Sequence, residues 1–100
     1  MQILTRTNHL TLSPAQQEYL EKKINKLTRY AERVSDSASK FHIDVTNQQV
    51  KSDQKIEIKS QVHLPHDNFH VEVHATSFES AVDELFEKLE RHIGKYKEKF

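Results

Sequence analysis

Residues 77–100 read SFESAVDELFEKLERHIGKYKEKF, and this stretch decides the fold. Phe78, Ala81, Val82, Leu85, Phe86, Leu89, Ile93 and Tyr96 recur at steps of three and four. That period places them on one apolar stripe of a helix. Ser77 is an N-cap residue, and Thr76 with Glu79 offers a capping box one position earlier. The charges of this helix are sorted. At about 100° per residue, Lys88, Arg91, Lys95 and Lys99 fall on one strip beside the apolar face. Asp83, Glu87 and Glu90 fall on the other flank, and only Glu84 sits near the basic strip. A helix that keeps its cations together presents a surface to an anionic partner.

An apolar stripe needs a surface to bury it, and the three segments before this helix provide one. Phe41, Ile43 and Val45 alternate with His42, Asp44 and Thr46. Ile56, Ile58, Val62 and Leu64 alternate with Glu57, Lys59, Gln61 and His63. Phe69, Val71, Val73 and Ala75 alternate with His70, Glu72 and His74. Period two with one polar face predicts an antiparallel sheet covered on one side. The tight turn between the last two strands is expected at Pro65, His66, Asp67 and Asn68, and residues 47–54 form a longer polar loop.

Further back, residues 1–7 read as a first strand with Ile3 and Thr5 on the inward face, and Leu10 and Leu12 anchor the connection that follows. Ser13-Pro14 starts a helix that runs to about residue 33. Its buried face is Leu20, Ile24, Leu27, Ala31 and Val34, with Tyr19 and Tyr30 at the edge. Lys22, Lys26, Arg29 and Arg33 form a narrow basic strip with Lys23 on its apolar side. Glu18, Glu21, Asn25 and Glu32 lie opposite. Residues 35–39 are a loop by composition. The expected fold is α+β, in the order β-α-β-β-β-α. A four-stranded sheet carries both helices on one face, and the first two strands are parallel through a right-handed crossover.

One hundred residues, 35% hydrophobic and 30% charged, suit one small domain spanning residues 1–100. Fifteen basic and fifteen acidic residues cancel. A nucleic-acid reading therefore rests on where the charges sit. The absence of cysteine excludes disulfides, thiolate metal sites and cysteine nucleophiles. No apolar run reaches membrane-spanning length and no signal segment opens the chain, so a cytoplasmic protein with no membrane partner is expected. One Gly and two Pro leave no room for a glycine-rich phosphate loop.

Three chemistries compete. Lys and Arg projecting to one side of two helices suit phosphate binding, although ordinary solvated faces are the plainer account. The seven histidines come second. With the turn at His66-Asp67, His63 and His70 oppose each other on the open sheet face and His74 lies further along. Two such imidazoles can bind zinc or copper. Nothing supplies further ligands, so no metal or cofactor is expected, and a histidine-rich polar face or an RNA contact is the alternative. Third, Asp83 with Glu87, or Glu84 with Glu87, could act as a carboxylate pair. No nucleophile motif accompanies them, so the chain reads as a non-enzyme without a small-molecule substrate.

The residues also carry a resemblance. Leu10-Thr11-Leu12-Ser13, the run from Glu18 to Ile24 (EYLEKKI) and the run from Lys26 to Tyr30 (KLTRY) resemble the first helix of the bacterial ribosome hibernation promoting factors, or ribosome-associated inhibitors. Val62-His63-Leu64-Pro65 resembles their third strand and turn. Ser80-Ala81-Val82-Asp83, the run from Lys88 to Ile93 (KLERHI) and Lys95-Tyr96-Lys97 resemble their second helix. The match is in register along the whole chain.

The resemblance implies a fold related to double-stranded RNA-binding domains. It implies binding to the small ribosomal subunit and its ribosomal RNA, in the mRNA/tRNA channel, to inhibit translation under stress or in stationary phase. Carried over by position, the RNA-facing residues are Lys22, Lys23, Lys26 and Arg29, then Lys88, Arg91 and Lys95; Arg33 joins them from the basic strip. The chain departs from the family pattern at Ser77, Glu79 and Gly94, where Asp, an aromatic and Arg are usual. Gly94 removes a cation and weakens the last turns by about 1 kcal/mol against Ala. One domain matches the short form, expected as a monomer off the ribosome, and ribosome pairing would need a separate factor. A general structured-RNA binder and a protein-interaction module are the alternative readings.

Overall fold

The chain forms β1 (Gln2–Asn8), α1 (Pro14–Ala31), β2 (Lys40–Asn47), β3 (Ile56–Leu64), β4 (Asp67–Ala75) and α2 (Phe78–Lys99). The computed structural model describes residues 2–32, 36, 38–48 and 55–99. Arg33 and Val34, both expected on the first helix, lie outside the described residues, as do residues 35 and 37 of the loop at 35–39 and residues 49–54. The sheet order is β1-β2-β3-β4. β1 and β2 are parallel, and the other pairs are antiparallel.

Both helices start on serine. The Ser13 hydroxyl accepts the Gln16 N–H, and the Gln16 side chain accepts the Ser13 N–H, which closes a capping box ahead of Pro14. Ser77 accepts the Ser80 N–H on its side chain and the Ala81 N–H on its carbonyl. The second helix is thus capped by Ser77, one residue after the alternative cap at Thr76.

Strand register lines the sheet up in rows. Ile3, Phe41, Val62 and Phe69 form one inward row, and Thr7, Val45, Ile58 and Val73 another. All eight apolar stripe residues of α2 are buried, and α2 packs on β3, β4 and α1. Leu20, Leu27 and Ala31 of α1 are buried beside them, with Ile24 partly buried. Thr5 shares the inward face but is exposed. The row between the two apolar ones holds Thr5, Ile43, Ser60 and Val71, and Ser60 is fully buried with no hydrogen-bond partner for its hydroxyl among the described residues.

The β3–β4 turn is tighter than the sequence implied. Leu64 pairs with Asp67, so only Pro65 and His66 form the bend and Asp67 and Asn68 belong to β4. A tether explains the choice: the His66 N–H donates to the Tyr96 Oη at 3.1 Å, tying the bend to α2. The register differs by two residues from a turn at His66-Asp67. His63 faces Asn68 and His70 faces Gln61. The opposed His63–His70 pair expected from the sequence does not form. Among the described residues no helix is long and apolar enough to cross a membrane.

Candidate nucleic-acid interface

The two helices lie side by side, and polar contacts in step along both show that they run in the same direction. The Tyr19 hydroxyl donates to the Asp83 carboxylate, and Lys23 sits 3.3 Å from the same carboxylate. Further on, Lys26 lies 3.9 Å from Glu90. Near the C-terminal ends, the Lys97 ammonium donates to the Tyr30 carbonyl at 3.0 Å and lies over the Tyr30 ring. The Tyr19 bond holds Asp83 below the usual carboxylate range, with Lys23 adding to it, and raises Tyr19 above the usual phenol range.

Gly94 belongs to this seam. A Cβ at Gly94 would lie 3.0 Å from the Tyr30 Oη, so the glycine lets the tyrosine lie close against α2.

This seam fixes where the basic residues go. Asp83 and Glu90 face α1, so at about 100° per residue Lys88, Arg91 and Lys95 fall on the far flank of α2. Lys22 and Arg29 fall on the outward side of α1, whereas Lys26, like Lys23, reaches across the seam to an acid of α2. The structure therefore does not merge the two strips, because the acidic flank of α2 lies between them.

Nor are the strips free of partners. Lys22 pairs with Glu18 at 3.3 Å, Lys88 with Glu84 at 3.2 Å and Arg91 with Glu87 at 2.9 Å, each at i,i+4 spacing. Arg29 and Lys95 are exposed and take part in no ion pair among the described residues. Such exposed pairs are worth about 0.2–1 kcal/mol, so a phosphate group can displace the carboxylate. Lys22, Lys26 and Arg91 keep well over half of their side-chain surface. Asp83, Glu84 and Glu87, the acids weighed as a carboxylate pair, each face a cation.

The open sheet face has a different electrostatic character. Arg6, Asp44, Lys59 and Glu72 form one cross-strand row, alternating in sign. The next row ends in Glu57 and His74, and Glu57 is buried because Gln48, Lys59 and His74 all surround its carboxylate. Sequence alternation had put Glu57 in solvent. Glu57, Glu72 and His74 bring ligand atoms within 4.8 Å of one another. His74 is already engaged there: Nε2 lies 3.0 Å from Glu72 and Nδ1 3.8 Å from Glu57. His74 thus bridges the two carboxylates, and Lys59 lies 3.6 Å from Glu57. His42, His63 and His70 line a shallow depression of about 280 Å³ beside it, with Asp44 and Lys59. On this face the signs alternate from strand to strand, whereas each helix gathers its cations on one flank.

Sequence reasoning missed Tyr19 and Asp83 as partners. The only signal was a tyrosine at the edge of one stripe and an acid on the flank of another.

Residues 3–100 match the protein family described as Sigma 54 modulation protein / S30EA ribosomal protein. Over 84 residues, 83% of this chain, the sequence is 26% identical to the ribosome hibernation promotion factor of Deinococcus radiodurans. The chain spans 42% of the length of that curated relative. The fold superimposes on a ribosomal subunit interface protein from Coxiella burnetii with a TM-score of 0.69 and 26% identity, covering 97% of this chain and 98% of the other. The N-terminal domain of Thermus thermophilus Protein Y gives 0.73 at 24% identity, over 96% and 99% of the two chains. At that identity the likeness is one of fold.

Proposed function

We propose, from the premise that this chain belongs to the Sigma 54 modulation protein / S30EA ribosomal protein family, that it is a ribosome hibernation factor acting in the cytoplasm. The family is one of ribosome-associated proteins. The finer reading is that the helix layer binds ribosomal RNA of the small subunit, in the channel used by messenger and transfer RNA, and so inhibits translation without chemistry of its own.

The observation that carries it is the placement of the cations. Lys22, Lys23, Lys26 and Arg29 of α1 and Lys88, Arg91 and Lys95 of α2 all lie on the helix layer. Two rows separated by an acidic seam suit two phosphate backbones, or two turns of one, better than a single flat anionic surface. The sign-alternating open sheet face supports the same assignment by contrast.

The test is a sucrose gradient of ribosomes with added protein. The protein should travel with small subunits or whole ribosomes at low salt and be shed as salt rises, because phosphate contacts release counterions on binding. Protein that stays at the top of the gradient at low salt refutes the reading.

A further inference from the structure

Where the basic flank of α2 ends, a depression of about 300 Å³ opens between the helix and the β3–β4 bend, lined by His66, Asp67, His92, Lys95, Tyr96 and Lys99. The His92 ring is stacked on Phe69, with centroids 3.7 Å apart and 14° between the planes. Its Nε2 lies 3.5 Å from the Asp67 carboxylate, which holds the ring in place, and 44% of the His92 side chain is exposed. Lys95 and Lys99, one helical turn apart, are exposed and join no ion pair among the described residues. The Tyr96 hydroxyl accepts the His66 N–H and fixes the wall formed by the bend.

We infer that this depression binds one unpaired nucleotide of RNA, with the base against the His92 ring and the phosphate held by Lys95 and Lys99. The inference rests on the reading above that the helix layer meets RNA, and it adds a contact that reads more than backbone charge. Lysines near a helix C-terminus also suit its dipole. The dipole does not account for an imidazole braced from behind by a phenyl ring and lining the same depression. An aromatic plane beside cations is how single-stranded RNA is held, because every base has a face to stack and a phosphate to neutralise. The volume is at the lower end of ligand sites, which suits one nucleotide. Asp67, the single acid lining the depression among the described residues, already faces His92. Lys95 continues the row of Lys88 and Arg91, so a strand following that flank reaches the depression.

The experiment is a protein NMR titration of the whole chain with uridine 5′-monophosphate, with inorganic phosphate and with a single-stranded oligouridine. The ring signals of His92, Phe69 and Tyr96 should move with the mononucleotide and at lower concentration with the oligomer, and should stay put with phosphate. Replacing His92 by Ala should weaken oligomer binding about ten-fold. Because His92→Ala also removes the Phe69 stack, Lys95→Gln with Lys99→Gln serves as the second variant and should weaken binding several-fold in a folded protein. Rings unmoved by either nucleotide probe, or moved equally by phosphate, overturn the nucleotide site. Movement with the mononucleotide but not with the oligomer overturns the assignment to RNA. Co-sedimentation with ribosomes is scored separately. If it persists while the rings stay unmoved, this site alone is wrong. If the rings move without co-sedimentation, the site stands and the ribosome reading falls.

Discussion

Reversing Lys88, Arg91 and Lys95 to Glu tests the helix assignment directly. Three cations become three anions, so the net charge falls from 0 by six. The folding cost is small. Lys88–Glu84 at 3.2 Å and Arg91–Glu87 at 2.9 Å turn from attractive to repulsive. At about 0.2–0.5 kcal/mol for each lost pair and as much again for each new repulsion, the total is about 1–2 kcal/mol. That is modest against a stability of about 5–15 kcal/mol. The binding effect is larger. Each lost phosphate contact flattens the log–log salt slope by about 0.9, so three flatten it by about 2.7. A fourfold rise in salt should then cost wild type about 40-fold more of its affinity than it costs the variant. The matched control reverses Arg6, Lys40 and Lys55, exposed cations off the helices with the same charge change. The assay is ribosome pelleting across a salt series, with circular dichroism to confirm folding. A helix variant that keeps the wild-type slope while the control loses it would place the binding surface on the sheet.

Ser60→Ala should stabilise the domain by about 1 kcal/mol, since it removes a buried hydroxyl without a partner; a thermal melt showing clear destabilisation contradicts that account of the core. Gly94→Ala should be neutral or stabilising by up to about 1 kcal/mol. The Tyr30 Oη that it crowds is the tip of a side chain 38% exposed, free to move aside, and a loss above about 1 kcal/mol in denaturant titration would show that Tyr30 cannot yield. Asp83→Asn should lower stability slightly at pH 7, by less than about 1 kcal/mol because the pair is exposed. Asp83 titrates below its ordinary value when folded, so its contribution is present above about pH 4 and fades as pH falls through the folded value. Tyr19 titrates above its ordinary value, so its contribution is full below about pH 10 and is lost as pH rises through the folded value. A wild-type-minus-variant stability difference that stays flat from pH 7 to pH 3 contradicts the Tyr19–Asp83 bond.

Much of the fold was legible because its signals are periodic. The stripe from Phe78 to Tyr96 is buried at every position, and the strand alternation places Phe41, Ile43, Val45, Ile58 and Val62 inside as read. What failed depended on tertiary contacts. Pro65, His66, Asp67 and Asn68 are all turn formers, and the hydrogen bond from His66 to Tyr96 that ties the two-residue bend to α2 is a tertiary contact. Alternation could put Glu57 on the open face but could not show Gln48 and His74 closing over it. The candidate cations were readable from the helical period. Their partners across the seam were not, because a helical period says which residues share a flank and not which flank meets the other helix.

The parallel pairing of β1 with β2 has a kinetic consequence. The segment β2-β3-β4-α2 is assembled from neighbours in the chain, whereas β1 must wait for a partner across α1; Asn8 bonds Thr46 over 38 residues. Closing that long loop is entropically late. β1 is also an edge strand with Leu4 43% exposed. Its outer amides should therefore be the first of the sheet to exchange with deuterium under native conditions, while those of β3, flanked on both sides, should exchange only on global unfolding. The expected behaviour is a body of β2, β3, β4 and the two helices onto which the N-terminal strand docks last and from which it detaches first.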